Sequence, residues 1–275
     1  MRVAGVVMLV AATLTLSGCA FSGGPPSASD SPSASDSPSA SDSPSVPVPS
    51  SVPATPTPES SPHVVALLPD CRYDDVAVTV DPAEAWATVV VDTIYRLPRR
   101  YQPDDLVGTA RAGLNSGFKV SRVMIDDLRD MAAAAVADDA GLAIQSAFRS
   151  YQYQVTTFAG WVARSSEAEA RKVSARPGHS EHQLGTSIDF RSADDATPPW
   201  ELDDFADTAA GGWLLDHAWE YGFVLSYPRG EADETCYSYE PWHYRYVGKD
   251  VAAAIHASGE TPRRYLWETY GPTAP

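Results

Sequence analysis

Residues 20–62 cannot contribute to a folded core. The segment FSGGPPSASDSPSASDSPSASDSPSVPVPSSVPATPTPESSP repeats SASDSP three times in tandem, and Pro, Ser and Ala dominate it. With almost no apolar side chain to bury, its ordering entropy goes uncompensated, so a disordered, Pro-stiffened tether is expected. About 40 such residues at roughly 3 Å each reach on the order of 100 Å when extended. Whatever folds must lie in 63–275, about 210 residues, which is enough for one substantial core. That part holds 32 acids against 19 bases, near −13 of the chain's formal −16. So acidic a surface argues against nucleic acid or anionic lipid as a partner.

Residues 1–19 read as a targeting segment, with Arg2 as a thin basic region, VAGVVMLVAATLTL as an apolar run, and LSGC behind it. The run is too short, and lacks the basic stop-transfer flank, for a spanning helix. LSGC is similar to the lipobox of bacterial lipoproteins, which would make Cys19 the lipid-bearing anchor; a plain secretory signal cut nearby is the alternative. Cys71 and Cys236 then remain. Outside the membrane a single pair reads as a disulfide, with two free thiols as the other option. Neither lies in a CxxC or beside a histidine, so a thiolate metal site is not expected.

Along 63–275 helices and short strands alternate. SRVMIDDLRDMAAAAVADDAG (121–141) predicts a helix, capped by Ser121, apolar at Val123, Ile125, Leu128 and Met131, and ended by Gly141. LAIQSAFRS (142–150) alternates like a half-buried strand, and a helix is expected over about 151–173. TSIDFR (186–191), FVLSYP and EPWHYRYVG read as strands, 201–221 and KDVAAAIHASG as helices. Without Gly-rich phosphate loops or regular βαβ units, this order favours an α+β fold with a mostly antiparallel sheet flanked by helices.

Six histidines are available to chemistry. His63 and His256 lack acidic or histidine company, and His217 shares a helix face with Trp213 and Tyr221, as a core or boundary histidine would. In GHSEHQLGTSIDF (178–190), a turn at Gly185 separates His182 from Asp189, and imidazole with carboxylate suits Zn²⁺. EPWHYRYVG adds Glu240 and His243. Residues three apart face opposite sides of a regular strand, so these two converge only if Pro241 makes the strand's entry irregular. Three ligands, His182, Asp189 and His243, leave a coordination position open, the catalytic pattern, with Glu240 as an unligated proton acceptor. On residue types alone, a stabilising polar cluster explains the same side chains equally well.

Four ordered segments, SAFRSYQYQ (146–154), RPGHSEHQLGTSIDF (176–190), WLLDHAWEYGFVLSYP (213–228) and EPWHYRYVG (240–248), resemble the successive motifs of VanY-type D-alanyl-D-alanine carboxypeptidases. These are zinc peptidases of the M15 class, related to L,D-carboxypeptidases of the LdcB type. The likeness runs from about 93 to 250 and takes in LPRRYQPDDLV (97–107). It implies a Hedgehog/DD-peptidase-like fold with a zinc cleft on the sheet, metal ligands at His182, Asp189 and His243, and a catalytic base at Glu240. It also implies oxyanion stabilisation by Arg149 and substrate contacts from Ser180 and Gln154. The family pattern leaves His179 open, so a place behind the ligands or at the rim is expected for it; Tyr151, Trp242 and Tyr244 are expected to pack the cleft walls.

The expectation is a lipid-anchored, extracytoplasmic zinc carboxypeptidase, a monomer, that trims the C-terminal D-alanine from peptidoglycan stem peptides. L,D-carboxypeptidase or endopeptidase action by the same site is the near alternative. A non-catalytic wall-binding lipoprotein is the distant one.

Overall fold

The computed structural model describes residues 67–271; the expected signal segment with Cys19, the tether and His63 lie outside the described residues. In chain order a short parallel pair, β1 (Val76–Ala77) and β2 (Tyr95–Arg96), precedes an antiparallel pair, β3 (Leu106–Gly108) and β4 (Lys119–Ser121). Helix α1 (Ile125–Ala137) leads to β5 (Leu142–Ser146), and α2 (Tyr151–Arg164) with α3 (Glu167–Val173) leads to β6 (Ser187–Ser192). Then come α4 (Ala209–His217), β7 (Phe223–Leu225), α5 (Ala232–Thr235), β8 (His243–Tyr246), α6 (Lys249–Ser258) and α7 (Pro262–Tyr270). The class is α+β. Among the described residues no helix is long and apolar enough to cross a membrane.

The central sheet has the order β5-β6-β8-β7, and every neighbouring pair is antiparallel. Alternation along β6 and β8 sends Ile188, Phe190, Tyr244 and Tyr246 into the main core, against Leu128, Met131, Leu214 and Phe223. Asp189, His243 and Arg245 hold the intervening positions. Register places Asp189 directly opposite His243 on one side and Ser146 on the other. Directly paired residues bring their Cβ atoms to about 5 Å, so a carboxylate and an imidazole meet without any loop having to position them. A second core of Val89, Val90, Ile94, Leu97, Leu184, Leu266 and Trp267 holds the chain's first described segment against α7.

Three expected helices differ. The helix expected from Ser121 opens there as a 3-10 turn, Arg122–Met124, and becomes α-helical only at Ile125. Ser121 holds the first position without capping it, because it ends β4 opposite Leu106 and its hydroxyl donates to Asp105 Oδ2 at 2.8 Å. Its end comes before Gly141, since Asp139 itself adopts φ +57°. The single helix over 151–173 is two: Ser166 caps α3 by accepting from Glu169 N, so a local cap wins over a continuous apolar stripe. Over 201–208 the expected helix is replaced by short turns. Asp204 accepts from Ala206 N, and Thr208 then caps α4 by accepting from Gly211 N. Gly211 has no room for a side chain there, because a Cβ would lie 2.0 Å from Phe205 O.

Cys71 and Cys236 are joined, with Cα atoms 5.4 Å apart and 165 positions between them in sequence. On chain-entropy grounds closing so long a loop stabilises by about 5 kcal/mol. The bridge ties the domain's entry to α5, beside the point where Arg263 donates to both Pro69 O and Glu234 O.

Candidate metal centre

A single 3-10 turn, Glu181–Leu184, carries His182, and Gly185 ends it at φ +77°. That left-handed conformation is one a side chain resists, and it lets the chain reverse into β6 within two residues. His182 and Asp189 thereby face each other. On β8, His243 N donates to Glu240 O at 3.0 Å, so Glu-Pro-Trp-His forms a turn with Pro241 at its second position. The strand starts only at His243, and the irregular entry brings Glu240 Oε2 to 3.9 Å from His243 Nδ1.

The structure brings His182, Asp189 and His243 together, with ligand-capable atoms all within 4.8 Å of one another. All three side chains are almost wholly buried. His182 Nδ1 donates to Ala147 O at 2.8 Å; a carbonyl only accepts, so this nitrogen carries the proton. Burial first, then the Arg149 charge, lowers the His182 pKa to about 4, and the ring is neutral. Its Nε2 lone pair therefore faces Asp189 Oδ2 at 3.2 Å, and that nitrogen makes no hydrogen bond. Two acceptors in contact in a buried place need a cation between them. A nitrogen, a carboxylate oxygen and a second nitrogen are the donor set zinc takes, so the residues fit it.

His243 lies between two carboxylates, with Nδ1 2.9 Å from Asp189 Oδ1 and Nε2 3.0 Å from Glu181 Oε2. Burial opposes a charge on the ring, but these two hydrogen bonds outweigh it and raise the pKa to about 10. A field that holds a proton at Nδ1 also favours a dication there, and the two compete for one atom. Asp189 stays ionised, well below the carboxylate range: burial works against this, and the charged ring of His243, donating to Oδ1, overcomes it.

Around the triad opens a cavity of about 940 Å³. Glu240, Arg149 and Ser180 line it together with Trp242 and Tyr239. Burial raises the Glu240 pKa to about 7, and a cation at the triad would pull it down again. Arg149 Nη1 donates to Ser146 Oγ at 2.9 Å and lies 3.4 Å from Asp189 Oδ2.

Other expected positions fall elsewhere. Gln154 does not line the cavity: it is buried behind it, and its amide donates to Ala175 O at 2.8 Å and more weakly to Ser174 Oγ. It positions the wall rather than touching what the wall contacts. His179 is not at the rim but buried, with Nδ1 2.7 Å from Asp92 O and Nε2 3.3 Å from Asp75 Oδ1. Tyr244 belongs to the core, and Tyr151 lies under the Arg99 guanidinium instead of on the cleft wall. His217 is, as expected, a half-buried boundary residue, its ring 5.0 Å from that of Trp213 and its Nδ1 3.0 Å from Glu220 Oε1. Glu181 is the residue that sequence reasoning passed over. Its Oε2 accepts from His243 Nε2 and from Ser226 Oγ at 2.7 Å, and its Oε1 from Arg245 Nη1 at 3.1 Å. Arg245 is in turn fixed by donating to Trp86 O and Val89 O. Burial would raise the Glu181 pKa, yet His243 and Arg245 hold it at about 2. An acid adjoining a candidate ligand in an otherwise small and apolar segment was the available signal.

The VanY family model, described as D-alanyl-D-alanine carboxypeptidase, matches residues 117–249. YodJ of Bacillus subtilis (strain 168) is 37% identical over 183 residues, covering 64% of this chain and 66% of that protein. The chain thus spans just under two thirds of that relative's length. Among solved structures, the LdcB LD-carboxypeptidase superposes with a TM-score of 0.58 at 34% identity, covering 65% of this chain and 85% of that one. A variant of the vancomycin-resistance D,D-pentapeptidase VanY, solved with Zn(II), superposes with a TM-score of 0.57 at 28% identity, covering 66% and 99%.

Proposed function

The chain belongs to the VanY family of D-alanyl-D-alanine carboxypeptidases, and from that premise we propose that it is a zinc carboxypeptidase removing the C-terminal D-alanine from peptidoglycan stem peptides. The observation that carries the reading is the bare lone pair of His182 Nε2 facing Asp189, with His243 and Glu240 around the same buried point. His182 Nε2, Asp189 and His243 Nδ1 would hold the metal. Bound there, zinc supplies a Lewis acid that polarises the scissile carbonyl and acidifies water. Glu240 takes the proton of the attacking water on a carboxylate oxygen and returns it to the amine of the departing D-alanine. Arg149 directs guanidinium N–H groups at the oxyanion that develops on the carbonyl. Glu181 keeps the proton of His243 on Nε2, so that Nδ1 presents its lone pair to the metal.

L,D-carboxypeptidase action on a tetrapeptide is the second reading, favoured by the likeness to LdcB. Mass spectrometry of products from purified pentapeptide and tetrapeptide muropeptides separates the two. Loss of one alanine from the pentapeptide alone supports the first reading, and loss from the tetrapeptide the second. An unchanged mass for both with zinc-loaded protein overturns the proposal.

Lipid anchoring at Cys19 on the extracytoplasmic side of the bacterial membrane is part of the same proposal. The LSGC segment supports it, and the Cys71–Cys236 bridge suits an oxidising compartment. Cys19→Ala is expected to move the protein from the membrane to the soluble fraction of fractionated cells; unchanged sedimentation with membranes would count against the anchor.

A further inference from the structure

Helix α2 starts beside the metal centre. Its capping residue, Ser150, follows Arg149, whose guanidinium reaches Asp189. From there Tyr153, Thr157, Trp161 and Arg164 line the same cavity as the triad. Their spacing of four, four and three residues keeps them on one face of the helix. The stripe is about 16 Å long at 1.5 Å per residue, a length that an extended peptide covers in about five residues. A terminal dipeptide needs only about 7 Å of it. The cleft is therefore built for more substrate than the two residues flanking the scissile bond.

Charge on this lining is one-sided. Apart from Asp189 and Glu240 at the centre, the charged residues lining the cavity are Lys119, Arg149 and Arg164, all basic, in a chain of formal charge −16. Among the described residues, Lys119 and Arg164 have no ion-pair partner. The Arg164 guanidinium sits over the Trp161 ring, 5.6 Å from its centroid, at the end of the stripe farthest from the metal centre. A cation held against an aromatic face at that distance from the chemistry has a substrate carboxylate as its natural counterpart.

We propose that the outer end of the cleft is a subsite for a carboxylate carried by the substrate upstream of its C-terminal pair, with Arg164 as its anion-binding residue. The proposal rests on the carboxypeptidase reading and adds to it a preference for acidic over amidated peptides. Arg164 is exposed, so its replacement leaves the core untouched. The test compares kcat/KM of the zinc-loaded full chain on matched peptides ending in D-Ala-D-Ala, with glutamate or glutamine at the fourth or fifth residue from the C-terminus. An N-acyl-D-Ala-D-Ala substrate, too short to reach the subsite, serves as reference.

Wild type is expected to favour the glutamate peptide by about three- to ten-fold, through KM and less so at higher salt. Arg164→Glu is expected to abolish or invert that preference while leaving the short substrate unchanged. Equal kcat/KM on the two peptides, or a preference that survives Arg164→Glu, overturns the subsite even if the short substrate is hydrolysed normally. Should no substrate turn over, the carboxypeptidase reading is what fails. Fluorescence anisotropy with the same labelled peptides then reads the subsite alone: glutamate-selective binding lost in Arg164→Glu supports it, and unselective binding overturns it.

Discussion

Glu240→Gln is expected to lower kcat by about 10³-fold or more while the protein keeps its zinc. The substitution preserves volume and removes only the ability to accept a proton. Glu240 lies in the turn that precedes β8, held by its N–H to Tyr227 O at 3.1 Å, so its backbone should not move. Its carboxylate comes no nearer than 3.9 Å to His243 Nδ1 and is spare for the water. His182→Ala provides the contrast, since it takes away the nitrogen whose lone pair faces Asp189 and should lose both metal and turnover. Metal content by mass spectrometry together with steady-state kinetics reads the pair. A Glu240→Gln protein with near-normal kcat would sink the assignment of Glu240 as the proton acceptor.

Glu181→Ala is expected to weaken zinc binding by about 10- to 100-fold through His243, with no change to any ligand. The same change strips Arg245 of its buried counter-ion and should destabilise the fold by about 3–5 kcal/mol. Glu181→Gln separates the two effects. Its amide oxygen can still accept from His243 Nε2, so zinc affinity should fall less, whereas Arg245 remains without an opposing charge and stability still suffers. Competition with a chromogenic chelator reads affinity, and urea unfolding reads stability. Wild-type zinc affinity in Glu181→Ala would show that the ring of His243 is held by its strand alone.

Much of the local structure was legible because it is decided within a few residues. Ser150 accepts from Tyr153 N and opens α2, at the boundary that the shift from alternating to helical spacing predicts. The turn at Gly185 and the irregular entry at Pro241 likewise follow from what those two residues permit. Helix α7 carries equally local signals, with Thr261 accepting from Arg264 N, Pro262 in the first turn and Gly271 after the end. The errors at Ser121 and over 201–208 have one cause. A periodic stripe shows which face is apolar, yet strand pairing with Leu106 in one case and an Asp204 turn in the other claims the backbone first.

At the centre the division is sharper. The sequence alone determined the chemical types and their order: two histidines and an aspartate able to bind zinc, a glutamate beside the second histidine, and an arginine ahead of a helix. Which neighbours matter follows from how the elements pack. Glu181 and His243 are 62 positions apart and meet because β6 and β8 pair with Asp189 opposite His243. Gln154 faces the hydroxyl of Ser174 and the carbonyl of Ala175 rather than the cavity, and His179, beside Ser180 in sequence, turns into the first described segment of the chain. Sheet register and helix rotation are set by which buried surfaces fit together across the whole domain. Local periodicity carries no record of those fits.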